Sequence, residues 1–207
     1  MSSRKLIYTA SIAALAFGVS QAALAQSTTT SPSTPSSKPA ATQSTNAPGA
    51  NLERGDRKFI EEAAQGGMAE VQLGQLAQQK ASSDQVKQFG KKMADDHQKA
   101  NDELKKIAST KGITLPTDLS SSDRREYDKL QKKSGADFDR EYMKEMVSDH
   151  KKDVKDFQSE GKSAKDPDIK NFAASTLPTL QQHLDLAQQT ENAVKSGGAA
   201  QKTSSAR

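Results

Sequence analysis

The chain has 207 residues, 30 of them Lys or Arg against 26 Asp or Glu, giving a net charge of +4, and it has no cysteine. The missing cysteine excludes disulfides, thiolate nucleophiles and thiolate metal sites. Lysines and acids alternate along most of the sequence, which describes solvated helix faces and argues against nucleic acid as a partner.

Residues 1–25 read as a signal peptide. Arg4 and Lys5 precede an uncharged apolar run from Leu6 to Val19, and Ala23-Leu24-Ala25 fits the small-x-small cleavage pattern, with the cut after Ala25. The run is about 14 residues, short of the roughly 20 that a membrane-spanning helix needs. No later segment is apolar enough to span, so the expected mature protein has no transmembrane segment and is periplasmic or secreted. Without Arg4 and Lys5 its net charge falls to about +2. Residues 26–52 are Ser, Thr, Pro, Ala and Gln with almost no large apolar side chain, the composition of a disordered linker, and 196–207 read as a similar tail. Residues 53–195 remain as one compact domain.

That domain reads as all-α. Four long segments carry the three-and-four spacing of amphipathic helices. The first is expected over Asp56–Lys80, with Asp56 as N-cap, and the second follows Ser82-Ser83-Asp84 and stops at Lys111-Gly112. The third is expected from Asp137 to Glu160, ending at Gly161. The fourth starts near Asp166-Pro167-Asp168, with Pro178 inside it as an expected kink or bulge. Short turns make each pair an antiparallel hairpin, while Lys111 to Ala136, with a short helix over Ser122–Lys133, is long enough to cross the whole bundle. One long crossover is the connectivity of a ferritin-like four-helix bundle. The hairpins also echo one another, Asp84-Gln85-Val86-Lys87-Gln88-Phe89 being repeated in outline by Pro167-Asp168-Ile169-Lys170-Asn171-Phe172.

Four separated blocks carry a family resemblance: Phe59…Gly67-Met68-Ala69-Glu70…Gly74…Leu76-Ala77, Val86-Lys87-Gln88-Phe89…Met93…Asp96-His97, Gly135…Phe138-Asp139…Tyr142…Met146-Val147…His150, and Leu177-Pro178…Leu180…His183-Leu184. Over Asp56 to Val194 the chain resembles the ferritin-like domain-of-unknown-function 4142 family of bacterial exported proteins. The resemblance implies a fold and an exported location, and no reaction.

The chain's three histidines, His97, His150 and His183, all fall on apolar stripes, one per helix, and Glu70 holds the matching position on the first helix. Gly66, Gly67 and Gly74 flank Glu70 and are expected to make room for something bulky, such as a facing imidazole. Counting from the turns sets Glu70, His97 and His150 at one level. His183 lies about six residues deeper, roughly 9 Å, which makes it an outlying member. Three uses of the cluster stay open: a structural hydrogen-bond network without a ligand, a metal site, and a pH sensor whose histidines charge near their usual pKa. A di-iron centre would need Glu-x-x-His on two helices, and Ala94-x-x-His97 and Leu180-x-x-His183 lack the carboxylates. One carboxylate with imidazoles suits zinc, copper or a single iron, and Met93 and Met146 tilt that choice toward copper. No nucleophile elbow, phosphate loop or His-Glu-x-x-His motif offers a catalytic site. The remaining partner class is an envelope protein or the membrane surface; oligomeric state is not legible.

Overall fold

The computed structural model describes residues 52–204; the expected signal peptide and all but the last residue of the expected linker lie outside the described residues. Among the described residues there are five helices and no strand: α1 (Arg54–Lys80), α2 (Asp84–Thr110), α3 (Ser121–Gln131), α4 (Gly135–Ser163) and α5 (Pro167–Ser204). None of them is long and apolar enough to cross a membrane.

Two apolar clusters set the helix directions. One joins Leu76 at the end of α1, Phe89 at the start of α2, Phe138 and Tyr142 at the start of α4, and Ala187 late in α5. The other joins Phe59 and Ile60, Leu104 and Ala108, and Ile169 and Phe172, from the opposite ends of α1, α2 and α5. So α1 and α5 run one way, α2 and α4 the other. Met93 shares a cluster with Met146, while Phe157 packs against the other cluster. Each hairpin packs within itself, and the hairpins meet through α2 on α5 and α1 on α4. The segment from Lys111 to Ser134 joins the hairpins and carries α3, which lies on α1 and α4. Leu130 of α3 is buried there, and Ser120 caps the helix by accepting from the Asp123 amide at 3.2 Å.

The termini follow local chemistry, with three departures from expectation. Helix α2 stops as the sequence implies, with Gly112 taking the left-handed φ of 64° that only glycine adopts without cost. Gly161 does not stop α4. The helix runs on to Ser163 because this glycine is a contact point: an added Cβ would stand 3.3 Å from the Ala174 backbone of α5. Asp56 is not the N-cap of its own helix, which starts at Arg54 after an uncapped Glu53. Its buried carboxylate instead accepts from the amides of Lys165 (3.1 Å) and Asp166 (2.7 Å) in the α4–α5 turn. Asp139 does the same in reverse, accepting from the amides of Ser82 (3.0 Å) and Ser83 (2.9 Å) in the α1–α2 turn. Each hairpin is therefore closed by a carboxylate of the other. The sequence offset that carries Phe89 onto Phe172 also carries Asp56, Ser82 and Ser83 onto Asp139, Lys165 and Asp166, so the closure repeats with the same step as the echo. Helix α5 is continuous through Pro178 and extends past residue 195, where the composition places the domain end.

The glycines flanking Glu70 serve a different purpose from the one expected. A Cβ at Gly74 would collide with the Gly90 carbonyl and sit 2.9 Å from the Ala94 nitrogen, so this glycine lets α1 and α2 touch backbone to backbone. At Gly67 the vacant space holds the Asn101 side chain, not an imidazole. Gly66 faces nothing within 4 Å.

Candidate functional site

Between the two apolar clusters the three histidines converge. His97 of α2, His150 of α4 and His183 of α5 are 8%, 0% and 1% exposed, and their ring centroids lie 5.4–5.7 Å apart. Each ring offers one nitrogen to the group, and these nitrogens lie within 4.8 Å of one another. His183 is thus a full member and not an outlier. The expected offset came from counting His150 back from a helix end at Gly161 and His183 forward from a helix start near Asp166. With α4 running to Ser163 the turn sits farther from His150, while α5 starts at Pro167, within the expected Asp166–Asp168. The mismatch shrinks to about three residues, roughly 4.5 Å along the helix axis.

Glu70 is the residue that stands apart. It is buried on α1, but its Oε1 reaches only to 3.9 Å from Nδ1 of His150, too long for a hydrogen bond, and that nitrogen is already engaged with the Met146 carbonyl at 2.9 Å. The structure brings Glu70 beside the three imidazoles without placing it among the inward nitrogens.

The outer and inner nitrogens differ. Nδ1 of His150 donates to the Met146 carbonyl, and Nε2 of His183 donates to Oδ2 of Asp96 at 3.1 Å. These bonds set the tautomers and leave the other nitrogen of each ring with a lone pair. Nε2 of His97, Nε2 of His150 and Nδ1 of His183 are all buried without a hydrogen-bond partner in the protein, as are Oε2 of Glu70 and the Tyr142 hydroxyl. A ligand-free hydrogen-bond network would show bonds among these groups. Burying polar atoms unpaired costs about 1–3 kcal/mol each, so the cluster is poorly explained as a structural network alone.

Electrostatics keep the imidazoles neutral. Burial, then the neighbouring His150 and His183, pushes His97 well below the usual histidine range. Burial, then His183, brings His150 down to about 4, and burial lowers His183 despite its bond to Asp96. Such groups do not charge near their usual pKa, so any charging of the cluster falls at lower pH than the sequence reading expects. Asp96 feels an upward push from burial, but bonds from Lys92, His183 and Lys99 hold its carboxyl far below the carboxylate range. It is therefore a fixed anion behind His183. Glu70 is raised well above its ordinary value, first by burial and then by the charges of Asp149, Asp153, Glu126 and Asp123.

The sequence shows Asp96 next to His97 and turned off its stripe; it does not show that α5 brings His183 onto it. Nor does it reveal that Glu126 of α3 comes to lie against Asp149 of α4. Burial and its acidic neighbours push Glu126 up to about 8, Asp149 to about 6 and Asp153 to about 7. Met93 and Met146 are fully buried in the apolar cluster with Phe89 and Tyr142, so packing accounts for them and they lend no weight to copper.

Residues 40–190 match the family described as Domain of unknown function (DUF4142). The chain belongs to the DUF4142 family. No curated protein matches it. Among solved structures, the DUF305 fragment from Deinococcus radiodurans superposes with a TM-score of 0.59 at 11% identity, covering 70% of this chain and 97% of that one. At that identity the likeness speaks to the helical fold alone. Within this DUF4142 domain the one group of His, Cys, Asp or Glu side chains with metal-compatible spacing among the described residues is His97, His150 and His183.

Proposed function

We propose that this is an exported metal-binding protein, built as a ferritin-like four-helix bundle, whose three histidines hold one first-row transition ion. The observation that carries the reading is the polarity of the rings. Three inward nitrogens are buried, neutral and unpaired, while the outer nitrogens of two rings are already bonded to a backbone carbonyl and a carboxylate. Metal-ligating histidines are held in this way, which fixes ring orientation and raises ligand basicity. Three donors at zinc–nitrogen distance from one ion stand about 3.3 Å apart. Small ring rotations would close the spacing from 4.8 Å. Neutral imidazoles favour zinc, copper or iron over magnesium or calcium, which prefer oxygen donors. His97, His150 and His183 would hold the ion, which would supply Lewis acidity or lower the pKa of a bound water. Asp96 orients His183, Met146 orients His150, and the apolar clusters above and below exclude bulk water.

The parallel run of α2 and α4, and the pairing of α1 with α4 and of α2 with α5, support the ferritin-like connectivity. Export is supported by Arg4-Lys5, the run from Leu6 to Val19 and Ala23-Leu24-Ala25. The metal reading is tested by melting the chelator-stripped protein with zinc, copper, ferrous iron and manganese. Only the folded chain presents the site, so a bound ion raises Tm by mass action. Stabilisation by zinc, copper or iron should vanish in His97→Ala, His150→Ala and His183→Ala and survive in Glu70→Gln. No shift with any ion would return the cluster to a purely structural role.

A further inference from the structure

The three imidazoles are sealed almost completely, so an ion needs a way in. Between α1 and α4 lies a cavity of about 530 Å³ whose walls also include α2 and α5 residues, and His97 is the one histidine of the three that lines it. On the α1 side the cavity stays open at Gly66, where a Cβ would meet nothing within 4 Å, while the space beside Gly67 is taken by Asn101. The cavity wall is acidic. Lys58 is matched by Glu62 at 3.0 Å and Lys152 by Asp156 at 2.8 Å. Asp153 and Glu160 line it as well, and Asp153 forms no ion pair among the described residues. Asp153 follows His150 by three positions, so it stands one helical turn from the site on a neighbouring face of α4.

We propose that this cavity is the port through which a divalent transition-metal ion reaches the histidines, with Asp153 as the carboxylate that receives it and His97 as the first imidazole it meets. The proposal rests on the metal reading above. An unpaired carboxylate in a partly desolvated cavity raises the local concentration of cations once ionised, which for Asp153 means above the value of about 7 set by burial. The buried, unpartnered Nε2 of His97 supplies the next ligand inward. The ion moves by ligand exchange, shedding water as it passes from oxygen to nitrogen donors, with no change of oxidation state.

The test follows zinc uptake by the stripped full chain in stopped flow, with equilibrium affinity from chelator competition. Gly66→Leu should obstruct the port while leaving the ligands alone, slowing association and dissociation together by about tenfold with affinity held. Asp153→Asn should slow association by about the same factor, the low end of electrostatic steering, and raising the salt concentration should reproduce part of that loss. Wild-type uptake rates in both variants would overturn the port. Faster dissociation at unchanged association in Asp153→Asn would make Asp153 a permanent ligand, which also overturns it. If Gly66→Leu fails to fold, Asp153→Asn alone decides. A wild-type chain that binds no zinc, copper or iron would refute the metal site itself and the port with it, a result distinct from wild-type rates at an intact site.

Discussion

Two glycines on α1, Gly66 and Gly74, should respond to alanine with opposite signs. Removing a helix-interior glycine gains about 1 kcal/mol wherever a methyl fits. At Gly66 the methyl meets nothing within 4 Å, so Gly66→Ala should stabilise by about that amount. At Gly74 the methyl strikes the Gly90 carbonyl, with the Ala94 nitrogen at 2.9 Å, and neither backbone atom can rotate away. Overpacking costs about 1–3 kcal/mol where side chains can adjust, and here two helices must part. Taking the upper end and subtracting the helix gain leaves a net loss of about 2 kcal/mol for Gly74→Ala. Urea unfolding followed by helical circular dichroism measures both. In melting the pair should separate, with Gly66→Ala about 2–4 °C above and Gly74→Ala about 4–8 °C below the parent. A neutral or stabilised Gly74→Ala would refute the backbone contact between α1 and α2.

Further outcomes follow from the site and its surroundings. Asp96→Ala removes the carboxylate that orients His183 and should weaken metal affinity about 10–100-fold by chelator competition, with helix content unchanged; parent affinity would deny Asp96 that role. Glu126 is raised to about 8 in the fold, so its contribution to stability is complete below its ordinary pKa and is lost as pH rises toward 8. Glu126→Gln should therefore match the parent near pH 4 and exceed it by about 1–2 kcal/mol at pH 8, after discounting for its partial exposure. His150, lowered to about 4, has the opposite sign: its neutral form is favoured in the fold, and stability falls as pH drops from about 6.5 toward 4. His150→Gln should flatten that acid limb in unfolding measurements at fixed pH. Asp139→Ala leaves the amides of Ser82 and Ser83 without their acceptor and should cost about 2–4 kcal/mol, and Asp56→Ala should cost a similar amount through Lys165 and Asp166.

The helices were legible because residues such as Phe89, Met93 and His97 recur at helical spacing, a signal local to each segment. The inward placement of the histidines was legible for the same reason. Register between helices was not, since it depends on where a helix ends. Gly161 reads as a stop signal, yet a glycine needed for close approach to Ala174 looks identical in one dimension. That ambiguity displaced His183 from the site. The carboxylates failed for a related cause: Asp56 sits where an N-cap belongs, and only the fold shows that its hydrogen bonds go to the distant turn at Lys165 and Asp166. Glu70 holds the same inner-stripe position as the histidines, but stripe position does not say toward which nitrogen of a neighbour a side chain points.

The reciprocal closure of the two hairpins has a consequence for stoichiometry. The constant offset that relates them describes a pseudo-twofold, a symmetric dimer interface folded into one chain. Under it, each position of α1 and α2 has a twin in α4 or α5. The twins of His97, His150 and His183 are Leu180, Gly67 and Ala100, none of which can donate an electron pair from its side chain. All three twins line the cavity between α1 and α4. The hollow is therefore where the mirror of the histidine site would stand, with two imidazoles replaced by hydrogen and methyl. One half of a symmetric frame carries the three histidines and the other carries the hollow beside them, so the proposed metal site would take up a single ion per chain.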